Sequence, residues 1–193
     1  IIKDPDTIKN TQVAKMQKNK IPLSQSQGEF VEVDGNCYLL FTGHAADGLV
    51  KGTIMYEDGP IEFGVDDILH SRVDEDIESG LDYAIAKLDK CKNIKKTDTV
   101  KIGDIVTINW LDFEVVSKNQ KLRLKPLDAE KAKKLRPSDS GLGVYDKNGH
   151  LVALVTTKIT NKETGEMEVD AVSVDFLLSL FNKKNKNVQA DML

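Results

Sequence analysis

The chain has 193 residues, of which 40% are hydrophobic and 30% charged, and its net charge at pH 7 is −4. This length allows one domain or two small ones that share an interface, with enough apolar residues for a buried core. The negative net charge argues against general electrostatic binding of the protein surface to nucleic acid or to anionic membranes. No apolar run reaches the roughly 18–20 residues of a membrane-spanning helix.

The first part of the chain, residues 1–28, is polar and lysine-rich. Only the stretch TQVAKM has a weak helical or extended pattern. The sequence therefore predicts an N-terminal arm over 1–28 and no core element in it.

From Glu29 the pattern changes to an alternation of apolar and polar residues, which indicates β-strands. The segment GEFVEVDGNCYLLFT turns at Asp34-Gly35, a dipeptide typical of β-hairpins. TIMYEDGPIEFGV repeats the arrangement, and LDYAIAKLD is a further short strand. We assign a first set of strands to residues 29–88.

Residues 89–99 contain few apolar side chains and indicate a connector. A second set of strands follows over 100–182, with a turn at Lys147-Asn148-Gly149, and FLLSLFNKK is predicted as a short amphipathic helix before a polar tail over 183–193. Many short strands with closely spaced turns are typical of all-β barrels and sandwiches. Because the connector separates two strand sets of similar size, we predict two small barrels.

The chain contains two cysteines, Cys37 in an apolar strand and Cys91 in the connector. Two are too few for a disulfide framework, and neither has neighbours at metal-ligand spacing, so no zinc site is expected. We expect both to be free thiols, which predicts a reducing compartment.

A serine lies in a tight bend in the segment PSDSGLGVYD, where Ser140 stands between Asp139 and Gly141. Ser, Asp and Gly are ordinary turn residues, so the bend alone does not indicate chemistry. A nucleophilic serine needs a base, for which His44, His70 and His150 are the available histidines.

His44 is the preferred base, because it follows an apolar strand and is flanked by small residues that leave space for a cleft. A third group must hold the imidazole, and Asp82 at the start of an apolar strand is the candidate. Taken alone, Asp82 is more simply interpreted as the end of a turn after Ser79-Gly80. The order His, Asp, Ser at three strand borders is more specific than any one of these residues.

These segments resemble the chymotrypsin-like serine proteases over about Glu29 to Phe181. FTGHAA matches the histidine segment loosely, DYAIAKLD matches the aspartate segment closely, and PSDSGLGVYDKNGHLVALVTT matches the nucleophile segment with its following hairpin. The resemblance implies two packed six-stranded antiparallel β-barrels with a short C-terminal helix. It also implies that His44, Asp82 and Ser140 are catalytic, with no cofactor and no metal.

The same resemblance implies an oxyanion hole formed by the backbone N–H groups of Ser138 and Ser140. The family usually has glycine at the position of Ser138, which puts the turnover rate in doubt more than the type of reaction. Substrate contacts are implied for Lys134, before the nucleophile, and for Thr156 and Thr157 on the strand after the hairpin.

Within the family, the low cysteine content and basic loops are most like the polyprotein-processing proteases of positive-strand RNA viruses. This predicts a polypeptide substrate, with the protein's own polyprotein as one candidate, and a location in the cytoplasm of a host cell. A bacterial chymotrypsin-like protease is the alternative.

A binding module of the same fold that does not cleave is a second alternative. Weak RNA binding is conceivable through the locally basic segment over 118–136. A solvated lysine-rich surface is the simpler interpretation of that segment.

Overall fold

A computed structural model describes residues 12–16, 24–49, 51–55, 60–76, 80–136 and 139–181. The described part is mostly β-structure. Its strands are β1 (Gln12–Met16), β2 (Ser24–Val33), β3 (Asn36–Phe41), β4 (Lys51–Met55), β5 (Ile61–Gly64), β6 (Ile68–Val73), β7 (Asp82–Leu88), β8 (Ile105–Ile108), β9 (Leu111–Lys118), β10 (Lys121–Pro126), β11 (Gly143–Tyr145), β12 (Leu151–Thr160) and β13 (Met167–Ser173).

The first seven strands form one antiparallel sheet in the order β5-β4-β1-β2-β3-β7-β6. Its central hairpin, β2–β3, turns at Asp34 and Gly35, which both have positive φ, 52° and 78°. Two successive residues of this kind match the right-handed twist of the strands they join. The hairpin predicted from Asp34-Gly35 is therefore confirmed.

The strand β1 lies inside the segment for which the sequence predicts an arm. Val13 pairs with Ser26 of β2 on one side and with Ile54 of β4 on the other. Residues 12–16 are thus a sheet element. Residues 1–11 and 183–193 of the predicted arm and tail lie outside the described part of the chain.

The last six strands close into a barrel in the order β10-β13-β12-β11-β8-β9. Register shifts interrupt the β9–β10 ladder between Arg123 and Leu124 and the β12–β13 ladder between Val155 and Thr157. Such irregularities bend a strand and let a sheet curve round on itself. The all-β fold with a sheet and a closed six-stranded barrel agrees with the predicted fold class.

Helices are few and short in the described residues. The α-helices are α1 (Gly43–Ala46), α2 (Ala129–Ala132) and α3, which covers 174–181, and a 3-10 helix covers Val65–Asp67. The helix predicted from FLLSLFNKK is therefore present. No helix of the described part is both long enough and apolar enough to cross a membrane.

The interface between the two strand sets has its own apolar core. Tyr38, Leu40 and Ile85 of the first sheet belong to the same cluster of buried side chains as Leu154 of the barrel and Leu177 of α3. Ile85, Leu154 and Leu177 are each 0% exposed. The two halves are therefore packed against each other, while the domain boundaries assigned from sequence stay a prediction.

Cys37 and Cys91 form a disulfide, with their Cα atoms 5.8 Å apart. The expectation of two free thiols is wrong. Cys37 is the second residue of β3 and Cys91 lies 54 residues later in the connector. Both pack against the cluster of buried apolar side chains that includes Phe30 and Leu39. Since stable disulfides are typical of oxidising compartments, the cysteines no longer support a reducing one.

Candidate active site

His44 is the second residue of α1, the short helix that follows β3. Gly43 precedes it, and a Cβ atom at that position would clash with the carbonyl oxygen of Arg72. The glycine therefore lets the start of α1 lie close against β6. This packing fixes where the imidazole of His44 leaves the backbone.

Asp82, the first residue of β7, holds His44 through two contacts. Its Oδ1 accepts the backbone N–H of His44 at 2.9 Å, and its Oδ2 lies 2.5 Å from the ring Nδ1. The two contacts fix the main chain and the ring of the histidine together. A proton on Nδ1 is thereby favoured, which leaves Nε2 as an acceptor.

Ser140 lies on the other side of the same imidazole. Its Oγ is 3.1 Å from His44 Nε2, and Thr42 Oγ1 is 3.4 Å from that nitrogen. The structure thus brings His44, Asp82 and Ser140 into one chain of contacts, although 38 and 96 residues separate them from His44 in sequence.

The bend around Ser140 depends on its neighbour Gly141. Gly141 has φ of +90°, and a Cβ atom there would clash with the backbone oxygen of Gln27. The close approach allows the N–H of Gln27 to donate to the carbonyl oxygen of Ser140 at 3.1 Å. A strand of the first sheet therefore supports the loop that carries the serine.

Asp139 supports the same loop from within. It is 3% exposed, and its Oδ2 accepts the backbone N–H of Arg136 at 2.5 Å. Burial raises the pKa of this carboxyl, and the hydrogen bond from Arg136 opposes that rise. Ser138, predicted as an oxyanion donor, lies outside the described residues.

A cleft of about 470 Å³ opens beside Ser140 and His44. Thr156 and Thr157, predicted as substrate contacts, both line it. Lys134 is not among the lining residues and lies exposed in the turn after α2. The remaining lining residues are Val73, Asp74, Asp76, Gly80, Leu81, Asp82, Leu135, Arg136, Val155 and Lys158.

Lys158 is a cleft residue for which the sequence alone gives no signal. It follows Thr156 and Thr157 on β12, and its Nζ donates to the carbonyl oxygen of Leu135 at 2.5 Å. Its contact with Leu135 depends on the fold, which brings β12 beside a segment 23 residues earlier in the chain.

Most of the basic segment over 118–136 is paired with acids. Six of its eight cations lie between 2.6 and 3.9 Å from a carboxylate oxygen. Such pairing reduces the uncompensated positive charge that binding to phosphates requires. The paired residues are Lys118, Lys121, Arg123, Lys125, Lys131 and Lys133.

The other two histidines do not line this cleft. His70 lies on β6, and His150 follows the turn between β11 and β12. Asp98, Asp146 and His150 place one ligand atom each within 4.8 Å of one another, the one such group found among the described residues. None of the three lines the cleft, so they supply no group to the contacts around Ser140.

The fold is similar to those of several proteases. The HtrA-type protease AlgW with a decapeptide superimposes with a TM-score of 0.59 at 16% identity, covering 91% of this chain and 64% of AlgW. An alpha-lytic protease homolog, N4, gives a TM-score of 0.62 at 11% identity, with 91% and 97% covered. The apo MamO protease domain from Magnetospirillum magneticum gives 0.51 at 17% identity, with 90% and 96% covered.

This chain therefore spans just under two thirds of the length of AlgW. Neither protein-family models nor curated proteins give a match. At these identities the similarity establishes the fold, which is that of the chymotrypsin-like serine proteases.

Proposed function

We propose that the chain is a serine endopeptidase in which Ser140 is the nucleophile, His44 the general base and Asp82 the residue that orients the imidazole. The observation that carries this proposal is the chain of contacts from Asp82 through His44 to Ser140, at 2.5 and 3.1 Å. A serine hydroxyl becomes a useful nucleophile when a base within hydrogen-bond reach removes its proton.

In the proposed reaction, His44 Nε2 takes the hydroxyl proton while Ser140 Oγ forms a bond to the peptide carbonyl carbon. The carbonyl oxygen becomes negative, and backbone N–H groups of Ser138 and Ser140 would stabilise it. When the intermediate collapses, the C–N bond breaks and the leaving amine takes the proton from His44. Water then releases the acyl group by the same two steps.

The cleft supports a polypeptide as the substrate. The edge of β12 beyond Val155 faces the cleft at Thr156 and Thr157, where an extended peptide could lie against the strand. Metal chemistry is not required for this mechanism, and no cofactor enters any step.

The biological setting is the less specific part of the proposal. The similar structures are mostly bacterial HtrA-type proteases, which favours the bacterial alternative. Viral polyprotein processing and a cytoplasmic location stay predictions from the sequence. RNA binding is disfavoured by the ion pairs in the basic segment.

Labelling with a serine-directed fluorophosphonate tests the reaction class. We expect Ser140 to be labelled in the intact protein and Ser140→Ala to abolish labelling and peptide cleavage. Asp82→Asn should leave Ser140 in place but lower kcat by roughly 10⁴-fold, as for other proteases with this triad, because the wrong imidazole tautomer is then favoured. Cleavage that survives Ser140→Ala would refute the proposed mechanism.

A further inference from the structure

The side chain of Lys158 crosses the cleft beside the serine. It starts from β12 and donates through Nζ to the carbonyl oxygen of Leu135, in the segment that leads into the Ser140 loop. Lys158 and Leu135 both line the cleft. The ammonium group of this exposed residue therefore connects two segments that line the cleft.

The backbone contacts define which part of the cleft this is. Gly141 N–H donates to Val155 O at 2.7 Å, and Val155 N–H donates to Leu142 O at 2.8 Å. The strand β12 thus contacts the serine loop at Val155, and Lys158 lies three residues further on. Three residues of a strand span about 10 Å. A lysine side chain that extends back towards the serine loop can cover a large part of this distance.

The charges on this wall have no salt-bridge partner in the described part of the chain. Neither Lys158 nor Arg136, which also lines the cleft, has a carboxylate oxygen within 4 Å among the described ion pairs. The nearby buried acid, Asp139, is held by the backbone N–H of Arg136. Lys158 Nζ contacts the neutral carbonyl oxygen of Leu135, and its charge also acts at longer range on Asp139, where it opposes the rise in the pKa of that carboxyl that burial causes.

Three acids, Asp74, Asp76 and Asp82, also line the cleft. Asp74 lies 2.9 Å from Arg72, and Asp82 contacts His44. A basic substrate side chain would therefore meet two acids that already have partners, together with the positive charge of Lys158. An acidic side chain would meet the ammonium of Lys158, which has no carboxylate oxygen within 4 Å among the described ion pairs.

We propose that the cleft selects an acidic side chain, glutamate or aspartate, on the substrate residue whose carbonyl carbon Ser140 attacks, and that Lys158 is the residue that sets this preference. This inference rests on the proposed peptidase function, which places the carbonyl carbon of that substrate residue at Ser140 Oγ. The ammonium has three donors and uses one on Leu135. A substrate carboxylate can accept a second hydrogen bond from the ammonium while the contact with Leu135 stays in place. A glutamine side chain could also accept this hydrogen bond, but it lacks the negative charge that makes the bond stronger.

Peptide binding to a Ser140→Ala protein tests the preference without turnover. The probes are fluorescent hexapeptides of sequence Ala-Ala-Pro-X-Ala-Ala, in which X is Glu, Gln or Lys, and anisotropy gives Kd. We expect the Glu peptide to bind roughly tenfold or more tightly than the Gln peptide, because a hydrogen bond to a charged group is the stronger one. Lys158→Met in the same background should remove that ratio, and Lys158→Glu should favour the Lys peptide.

Two matched lysine variants serve as controls. Lys125→Met removes a cation that pairs with Glu166 outside the cleft, and Lys134→Met removes the lysine first suggested by the sequence. Both should keep the preference for the Glu peptide. Equal Kd values for Glu and Gln, no detectable binding of the Glu peptide, or a preference that survives Lys158→Met would overturn the proposal.

Cleavage of the same peptides by the unmodified protein separates this inference from the proposed function. Cleavage and labelling without a preference for Glu would refute the proposed role of Lys158 and would still support the peptidase proposal. Selective binding of the Glu peptide without labelling or cleavage would remove the peptidase and leave an acid-selective binding cleft.

Discussion

At the residue scale, Asp139 combines a charge-bearing group with a buried position. The side chain directly precedes Ser140, and burial raises the pKa of its carboxyl above the ordinary value of 3.8. Between 3.8 and the raised pKa, the folded protein binds a proton that the unfolded chain has lost. The stabilisation that results is complete below the unfolded pKa and is lost as the pH rises through the folded pKa.

We therefore predict that the unmodified protein gains stability relative to Asp139→Asn as the pH is lowered from 7 towards 4. Asparagine keeps an acceptor for the Arg136 N–H but does not titrate, so the difference isolates this carboxyl. Urea unfolding of both proteins at a series of pH values measures it. A difference in the free energy of unfolding that stays constant across the series would contradict the prediction.

The candidate site residues were predictable from sequence to different degrees. His44, Asp82 and Ser140 lie near the ends of strands, and a glycine adjoins the histidine and the serine. Lys158 was not predictable, because its contact with Leu135 depends on how β12 lies against a segment 23 residues earlier. Lys134 was suggested by proximity in sequence to Ser140, whereas the turn after α2 leaves it exposed.

At the element scale, the strand β1 shows why tertiary pairing is hard to predict. QVAKM is short and flanked by polar residues, so its own pattern is weak. It becomes a strand by pairing with β2 and β4 on either side. Strand preference depends on such neighbours more than on the segment itself. The β2–β3 hairpin, by contrast, is encoded locally by Asp34 and Gly35 and was predictable.

The disulfide between β3 and the connector was also missed, because the count of cysteines does not tell which are close in space. We predict that the Cys37→Ser, Cys91→Ser double variant is less stable by about 4 kcal/mol, since the bridge closes a loop of 54 residues and restricts the unfolded chain. Urea unfolding with and without a reductant measures this. The reductant should destabilise the unmodified protein and leave the double variant unchanged, and equal stability of the two proteins without reductant would contradict the bridge.

At the scale of the whole molecule, a buried polar contact joins the two strand sets. The hydroxyl of Tyr145 on β11 donates to Oε1 of Glu29 on β2 at 2.5 Å, and Glu29 is 1% exposed. Gly143 leaves room for this contact, because a Cβ atom there would lie 2.6 Å from the hydroxyl. The sequence predicted two strand sets but gave no indication of this link, since 116 residues separate its partners.

We predict that Tyr145→Phe lowers the free energy of unfolding by about 1–3 kcal/mol, because it removes a donor from a buried acceptor. Tyr38→Phe is the matched control, since that ring packs against Phe181 and its hydroxyl makes no hydrogen bond to the described residues. Urea unfolding should show one cooperative transition for both variants, with the larger loss for Tyr145→Phe. A loss no larger than that of the control would show that the contact contributes little.

The bridge between Cys37 and Cys91 determines what happens when a peptidase, such as a second copy of the proposed enzyme, cuts the chain between the two cysteines. The bridge makes a covalent ring of the chain between the two cysteines, and both His44 and Asp82 lie on that ring. A single cut in any loop of the ring leaves both pieces attached through sulfur. His44 and Asp82 would then stay on one molecule after a cut that would otherwise release a fragment.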